Sequence, residues 1–228
     1  MRRLAVRTLQ EEQMDDPALP SEDYRAVLAD LGRVNRWTLA ARPTLSFLAR
    51  ATAGAKKFTL LDVGYGEGGM LRAIARWAAR RGLDAKLTGV DLNPKSAVAA
   101  QAASPQGMTI DWRAGDYAEL GRFDFVISSL VAHHMTDPQL QAFLRWMESH
   151  ATRGWMVNDL HRHGFAYAGY PLLARLLGVH RIVREDGRLS IARAFRPAEW
   201  HSRLDQAGVS NARVVRRFPF RLCVERLR

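Results

Sequence analysis

From Phe58 onward the chain alternates short apolar runs with longer stretches of helical periodicity, the pattern of successive βαβ units around a parallel sheet. The runs cover residues 58–63, 85–90, 108–113, 123–128 and 154–159. Between the first two, Met70, Leu71, Ile74, Trp77 and Ala78 fall on one helical face and Arg72, Arg76 and Arg80 on the other, which predicts a crossover helix ending at Gly82. After the fifth run come a helix over 165–177, an irregular basic stretch, a helix over 197–207, and two adjacent runs at 212–219 and 220–226. So short a junction requires the last two to be antiparallel.

The first 20 residues are polar and close on Asp15-Asp16-Pro17-Ala18-Leu19-Pro20, a connector by its prolines and acids. Ser21-Glu22-Asp23 then reads as a capped helix start running to about Gly32. A second helical stretch covers 33–50, with a break expected before Pro43. The division is therefore a helical lead-in or lid over 1–50 and an α/β domain over 51–228.

At 228 residues, with 47% hydrophobic and 25% charged side chains, the chain has ordinary globular usage. No apolar run approaches the roughly 18 residues of a membrane span. Met1-Arg2-Arg3-Leu4-Ala5-Val6-Arg7 runs into polar residues instead of an apolar core, so a secretory signal is not expected. A single cysteine, Cys223, allows neither an internal disulfide nor a multi-cysteine zinc site and agrees with a cytoplasmic location. The formal charge of +11 comes with 30 arginines among 34 basic residues, and residues 176–228 hold 12 basic and 5 acidic side chains. Without interleaved aromatics, this C-terminal excess reads as solvated edge strands in preference to an RNA or anionic-lipid surface.

The first run ends in Leu61-Asp62-Val63-Gly64-Tyr65-Gly66-Glu67-Gly68-Gly69 and opens into the crossover helix. Glycines there permit a tight turn and close approach of a ligand. Gly64, Gly66 and Gly69 also satisfy the spacing of a nicotinamide dinucleotide site, a weak match alone. Three acids shift the balance. Asp62 stands two residues before the first glycine, where it can face a ligand ammonium. Asp91 ends the second run, placed for two ribose hydroxyls, and Asp116 follows the third, placed for an exocyclic adenine amine. Each acid alone reads equally well as a cap or turn residue. In order, they describe a ligand with an amino acid end, a ribose and an adenine: S-adenosylmethionine.

With this Asp62-x-Gly64-x-Gly66-x-Gly68 spacing, residues 56–228 resemble the class I S-adenosylmethionine-dependent methyltransferases. The resemblance implies a Rossmann-like seven-stranded sheet, mostly parallel with an antiparallel last strand, under the N-terminal helical lid. It further implies that Gly64, Gly66 and Gly68 line the methionine moiety, Asp62 its ammonium, Asp91 the ribose, and Asp116 with Tyr117 the adenine. Leu92 and Leu130 complete the cofactor set.

The segment after the fourth run reads Ser128-Ser129-Leu130-Val131-Ala132-His133-His134-Met135. It lacks the Asn/Asp-Pro-Pro-aromatic loop of base amino-methylation and the paired glutamates of arginine methylation, and Cys223 is too remote for cytosine C5 chemistry. His134 is the candidate base for a phenolic acceptor, with His161 in reserve; His133 reads as packing or cofactor contact. His161 and Arg162 follow the fifth run and could orient an acidic substrate. The next helix carries Phe165, Tyr167, Tyr170, Leu172, Leu173 and Leu176, too apolar for a plain surface helix, and its aromatics could wall a flat acceptor. Trp37, with Asn35 and Arg36, could close the pocket. The loops resemble those of small-molecule methyltransferases related to quinone-biosynthesis and polyketide-tailoring enzymes, although the long N-terminal signature of the quinone group is absent. The expected reaction is methyl transfer to a small, aromatic or phenolic acceptor, with oxygen favoured over ring carbon and no metal. The competing readings are an RNA methyltransferase, a nicotinamide oxidoreductase and a non-catalytic binding module. A homodimer is compatible with the sequence.

Overall fold

The computed structural model describes residues 4–228; Met1, Arg2 and Arg3 of the expected lead-in lie outside the described residues. The strands are β1 (Lys57–Val63), β2 (Asp84–Asp91), β3 (Asp111–Ala114), β4 (Phe123–Ser129), β5 (Ala151–Leu160), β6 (Arg213–Arg217) and β7 (Arg221–Leu227). They form one sheet in the order β3-β2-β1-β4-β5-β7-β6. All neighbours from β3 to β5 are parallel, and β7 runs antiparallel to both β5 and β6. This is the Rossmann-like, seven-stranded arrangement expected from the sequence, with a three-residue junction forcing the terminal hairpin.

Helices α1 (Ser21–Trp37) and α2 (Ala41–Ala51) precede β1. Then follow α3 (Gly69–Arg80), α4 (Pro94–Ala102), α5 (Asp137–His150), α6 (Gly164–Leu176), α7 (Arg181–Arg193) and α8 (Pro197–Gln206). The period-two alternation of β1 divides its side chains between two cores. Phe58 and Leu60 pack with Phe47 and Leu48 of α2 and Leu71, Ile74 and Trp77 of α3. Leu61 and Val63 join Phe143 and Met147 of α5 and Trp200 and Leu204 of α8 on the other face. A third cluster, Val27 and Val34 with Ala174, Ile182 and Val183, ties α1 to α6 and α7.

Several expectations need correction. The first helix does not stop at Gly32 but continues to Trp37, because the buried stripe of Val27, Leu28 and Val34 continues through it. The break falls at 38–40, where Leu39 takes a left-handed φ of 53°, and Pro43 sits inside α2. Pro20, not Ser21, holds the cap position, without a side-chain cap bond. The third strand begins at Asp111 because this edge strand pairs only with Thr88–Asp91 of β2. The basic stretch after 177 is not irregular: it is α7. Its buried face includes Asp186 and Ser190 among Ile182, Val183 and Ile191, so its apolar period is interrupted. Asp186 is held there by the backbone N–H groups of Gln13 and Met14 at 3.1 and 3.0 Å.

Much of the C-terminal arginine excess is engaged internally. Arg203 pairs with Asp137 at 2.8 Å, Arg228 with Glu148 at 2.7 Å, and Arg193 and Arg221 are buried. β6, with Arg213, Arg216 and Arg217, is an edge strand, as the solvated-edge reading expects, but β7 is not: it lies between β5 and β6 with Arg221 buried.

Candidate active site

The turn after β1 is shaped by what crowds it. Gly64 has φ of 74°, and a Cβ there would meet Val131 of the β4 loop at 2.4 Å, so glycine is required on both counts. At Gly68 the missing Cβ makes room for the Trp112 ring, 2.3 Å from the position it would occupy. Gly68 thus caps α3 and packs on Trp112, while Gly64, Gly66 and Gly69 line the adjacent cavity. Asp91 is tied into the turn, accepting from Gly66 N–H and Asn93 N–H, each at 2.9 Å.

Asp62 stands apart from this network. Its carboxylate is buried at 1% exposure and neither oxygen has a hydrogen-bond partner. Burial, and then the nearby Asp91 charge, hold its pKa well above the usual carboxylate range; burial raises Asp91 as well. An unpartnered buried carboxylate is costly unless a cation completes it. It lines the same cavity as Gly64, Gly66, Asp91 and the exposed Leu92, so the cradle has the acceptors for a ligand with an ammonium and a diol.

Leu130 opens the β4 loop in a left-handed conformation, φ 62°, with its N–H donating to Asn158. Beyond it, His133 is buried between two acids. Its backbone N–H and its Nδ1 contact Asp159 at 2.8 and 2.7 Å, and its Nε2 lies 3.6 Å from Glu12. Burial alone would lower the His133 pKa, but Asp159 and Glu12 outweigh it and push it up to about 9. His133 is therefore a fixed imidazolium at neutral pH. His134 packs against it with the rings tilted by 41° and places Nδ1 2.8 Å from Asp15, with Nε2 3.9 Å from Glu12. The N-terminal segment is strapped across this loop: Arg7 donates to the carbonyls of His133 and Met135, both at 2.7 Å, and stacks on Phe195. Glu12, His133 and His134 bring ligating atoms within 4.8 Å of one another. The Glu12 oxygen is, however, already met by Ser190 at 2.9 Å and by Arg193 at 3.9 Å, besides His133.

A pH dependence follows from His133. Its folded pKa lies above the ordinary 6.5, so the stability it contributes is fully present below pH 6.5 and is lost as pH rises through about 9. The melting temperature is expected to fall across that window, and His133→Gln to flatten the fall. Parallel wild-type and variant profiles would contradict this.

One cavity of about 1570 Å³ joins these groups. Among the sequence-derived candidates it is lined by Asp62, Gly64, Gly66, Asp91, Leu92, Tyr117, Leu130, His134, Trp37, Phe165 and Tyr170. Three non-glycine residues in left-handed conformations, Leu39, Leu130 and Phe220, line it too, a clustering of backbone strain of the kind found at functional sites. Five candidates stand elsewhere: Gly68, packed on Trp112, and four more. Arg162 is buried and fully engaged, donating to the Leu4 and Ala194 carbonyls and to Glu199 at 2.5 Å, so it braces the chain and is not free for a substrate. Tyr167 lies under Arg188 outside the cavity. His161 faces a separate small cavity with His163, Arg216 and Arg217; burial, and then the nearby His163, Arg216, Arg196 and Arg162, lower its pKa. Asp116 is exposed outside the cavity and accepts from Ala118 N–H at 2.9 Å, capping a short turn. Sequence reading missed Glu12, Asp15 and Arg7, whose only signal was a polar, charged N-terminus with no periodicity to say where it packs, and it missed the role of Asp159 at the end of the fifth run.

Residues 60–154 match the model of the methyltransferase domain family. No curated protein sequence matches. Among solved structures, the plantazolicin methyltransferase BpumL superposes with TM-score 0.62 at 17% identity, over 84% of this chain and 70% of its own. The magnesium protoporphyrin IX methyltransferase of Synechocystis PCC 6803 gives 0.58 at 17%, over 95% and 91%. Human N-acetylserotonin methyltransferase gives 0.62 at 16%, over 91% and 56%. These likenesses are of fold. Joined with the family match and the glycine–acid turn, they give residues 60–154 a methyltransferase domain within a chain that has the class I, Rossmann-like methyltransferase fold.

Proposed function

We propose that the chain transfers a methyl group from S-adenosylmethionine to a small aromatic acceptor, at a phenolic oxygen in preference to a ring carbon. The observation that carries the donor half is Asp62: a buried carboxylate with no partner. Asp62 would hold the donor's ammonium, Gly64 and Gly66 its methionine moiety, Asp91 its ribose hydroxyls, and Leu92, Leu130 and Tyr117 the faces of its adenosine. The donor supplies an electrophilic sulfonium methyl. The chain must then hold an acceptor lone pair in line, which supplies most of the acceleration, and remove one proton.

His134 suits the second task. With Nδ1 2.8 Å from Asp15, the ring would leave Nε2 to accept a phenolic proton from an acceptor in the cavity that His134 lines. His133 cannot share the task, since its two acids keep it charged. It positions the loop, with Asp159 and Glu12 as its supports. His161, across the Phe220 wall in the second cavity, is no longer a useful reserve. Trp37, Phe165 and Tyr170 would form the aromatic wall, and the described part of the helical lead-in, residues 4–50, would serve as the lid. A cytoplasmic location fits the lone Cys223, whose thiol burial pushes up to about 12. A small acceptor is in keeping with the structural neighbours, whose names specify plantazolicin, magnesium protoporphyrin IX and N-acetylserotonin. Incubation with methyl-labelled donor and a panel of phenols, quinones and RNA, read by mass spectrometry, tests the reading. Label on a phenolic oxygen is expected. Label on RNA alone would overturn it.

A further inference from the structure

The apolar lining of the cavity continues past its mouth. α6 turns Phe165, Ala168, Gly169, Leu172 and Leu176 toward solvent, all exposed, with only Arg175 among them. Their spacing of three, four, seven and eleven residues from Phe165 puts them on one helical face. The helix is thus amphipathic with its apolar side outward: Phe165, Leu172 and Leu176 are 78%, 64% and 77% exposed. Phe165 also lines the cavity, as do Trp37 and Phe218, which are 70% and 81% exposed. Patches of this kind mark interaction sites.

Charge says what the partner is. The segments that carry these side chains, residues 33–61, 160–184 and 206–224, contain no aspartate or glutamate. Arg36, Arg42, Arg175 and Arg216 stand exposed on them, without a carboxylate partner among the described residues. A second copy docked about a two-fold axis would set this basic rim against itself. An anionic bilayer meets both features, taking aromatic and leucine side chains at headgroup depth and arginines against its phosphates. No helix among the described residues is long and apolar enough to cross a membrane, so the contact is peripheral.

We propose that the outer face of α6 and the cavity mouth dock on an anionic lipid bilayer, so that the acceptor is a lipophilic molecule drawn from it. The docking stands on the surface alone; the nature of what is drawn in rests on the acceptor reading above. Cosedimentation of the full chain with phosphatidylglycerol–phosphatidylcholine vesicles tests it, against vesicles of phosphatidylcholine alone. Binding to the anionic vesicles, weakened by salt, is expected. The double variant Leu172→Glu/Leu176→Glu should bind about a hundredfold more weakly, by lost apolar burial and added negative charge. Both leucines lie outside the cavity, so the variant's melting temperature and its turnover of a water-soluble phenol should match wild type. No wild-type binding to anionic vesicles, or equal binding by the variant, overturns the docking. So does a wild-type dimer that the same variant dissociates, which would assign the face to a second copy. Vesicle binding without methyl transfer to any acceptor would leave the docking standing and overturn the acceptor reading.

Discussion

Asp62→Asn is expected to weaken S-adenosylmethionine binding by a hundredfold or more while raising the melting temperature of the ligand-free protein. Removing one partner of a buried charge pair costs about 3 to 5 kcal/mol, because the other charge is left buried and alone. That loss falls on the ligand complex only. In the free protein the carboxylate has no partner and its pKa is held well above the usual range by burial and by Asp91. A carboxylate raised on folding opposes folding at neutral pH, and the opposition fades as pH falls through the raised value. The amide carries no charge, so the variant should gain stability at neutral pH and lose that advantage in acid. Calorimetric titration and thermal melts across pH check both halves. A variant that binds the donor normally, or melts lower than wild type at neutral pH, would remove Asp62 from the proposed role.

The second large effect concerns His134. A positioned base contributes about a hundredfold to ten-thousandfold to turnover, and with Asp15 2.8 Å from its Nδ1, His134 would use Nε2 in the proposed role. His134→Gln should therefore lower kcat on a phenolic acceptor by that range, with donor affinity and melting temperature nearly unchanged. Raising pH should restore part of the rate, since a phenol of ordinary pKa about 10 then ionises without help. Asp15→Asn should show a smaller loss of the same kind. Full turnover by His134→Gln across the neutral range would shift the mechanism to positioning of an acceptor that arrives already ionised.

The parts of this site that were legible in the sequence are those where a local rule applies. The period-two and 3.6-residue patterns gave away the sheet and its crossovers because each apolar face meets a core directly, as Phe58 and Leu60 do. The turn from Asp62 to Gly69 was readable because left-handed geometry and close approach leave glycine no substitute. What stayed hidden depends on contacts between distant segments. Nothing near Glu12 or Asp15 in sequence announces that they meet His133 and His134 more than a hundred residues away. Arg162 looked available because its partners, Leu4, Ala194 and Glu199, come from three separate segments. α7 was lost because a buried Asp186 interrupts its stripe.

The most direct test of the account is a calorimetric titration of the purified chain with S-adenosylhomocysteine and, separately, with NADH. The cradle of Asp62, Gly64, Gly66 and Asp91 predicts that the adenosyl ligand binds and the dinucleotide does not. It also predicts that Asp91→Ala weakens adenosyl binding by about 1 to 3 kcal/mol through the lost ribose contacts. NADH binding the more tightly, or S-adenosylhomocysteine giving no heat at any accessible concentration, would contradict it.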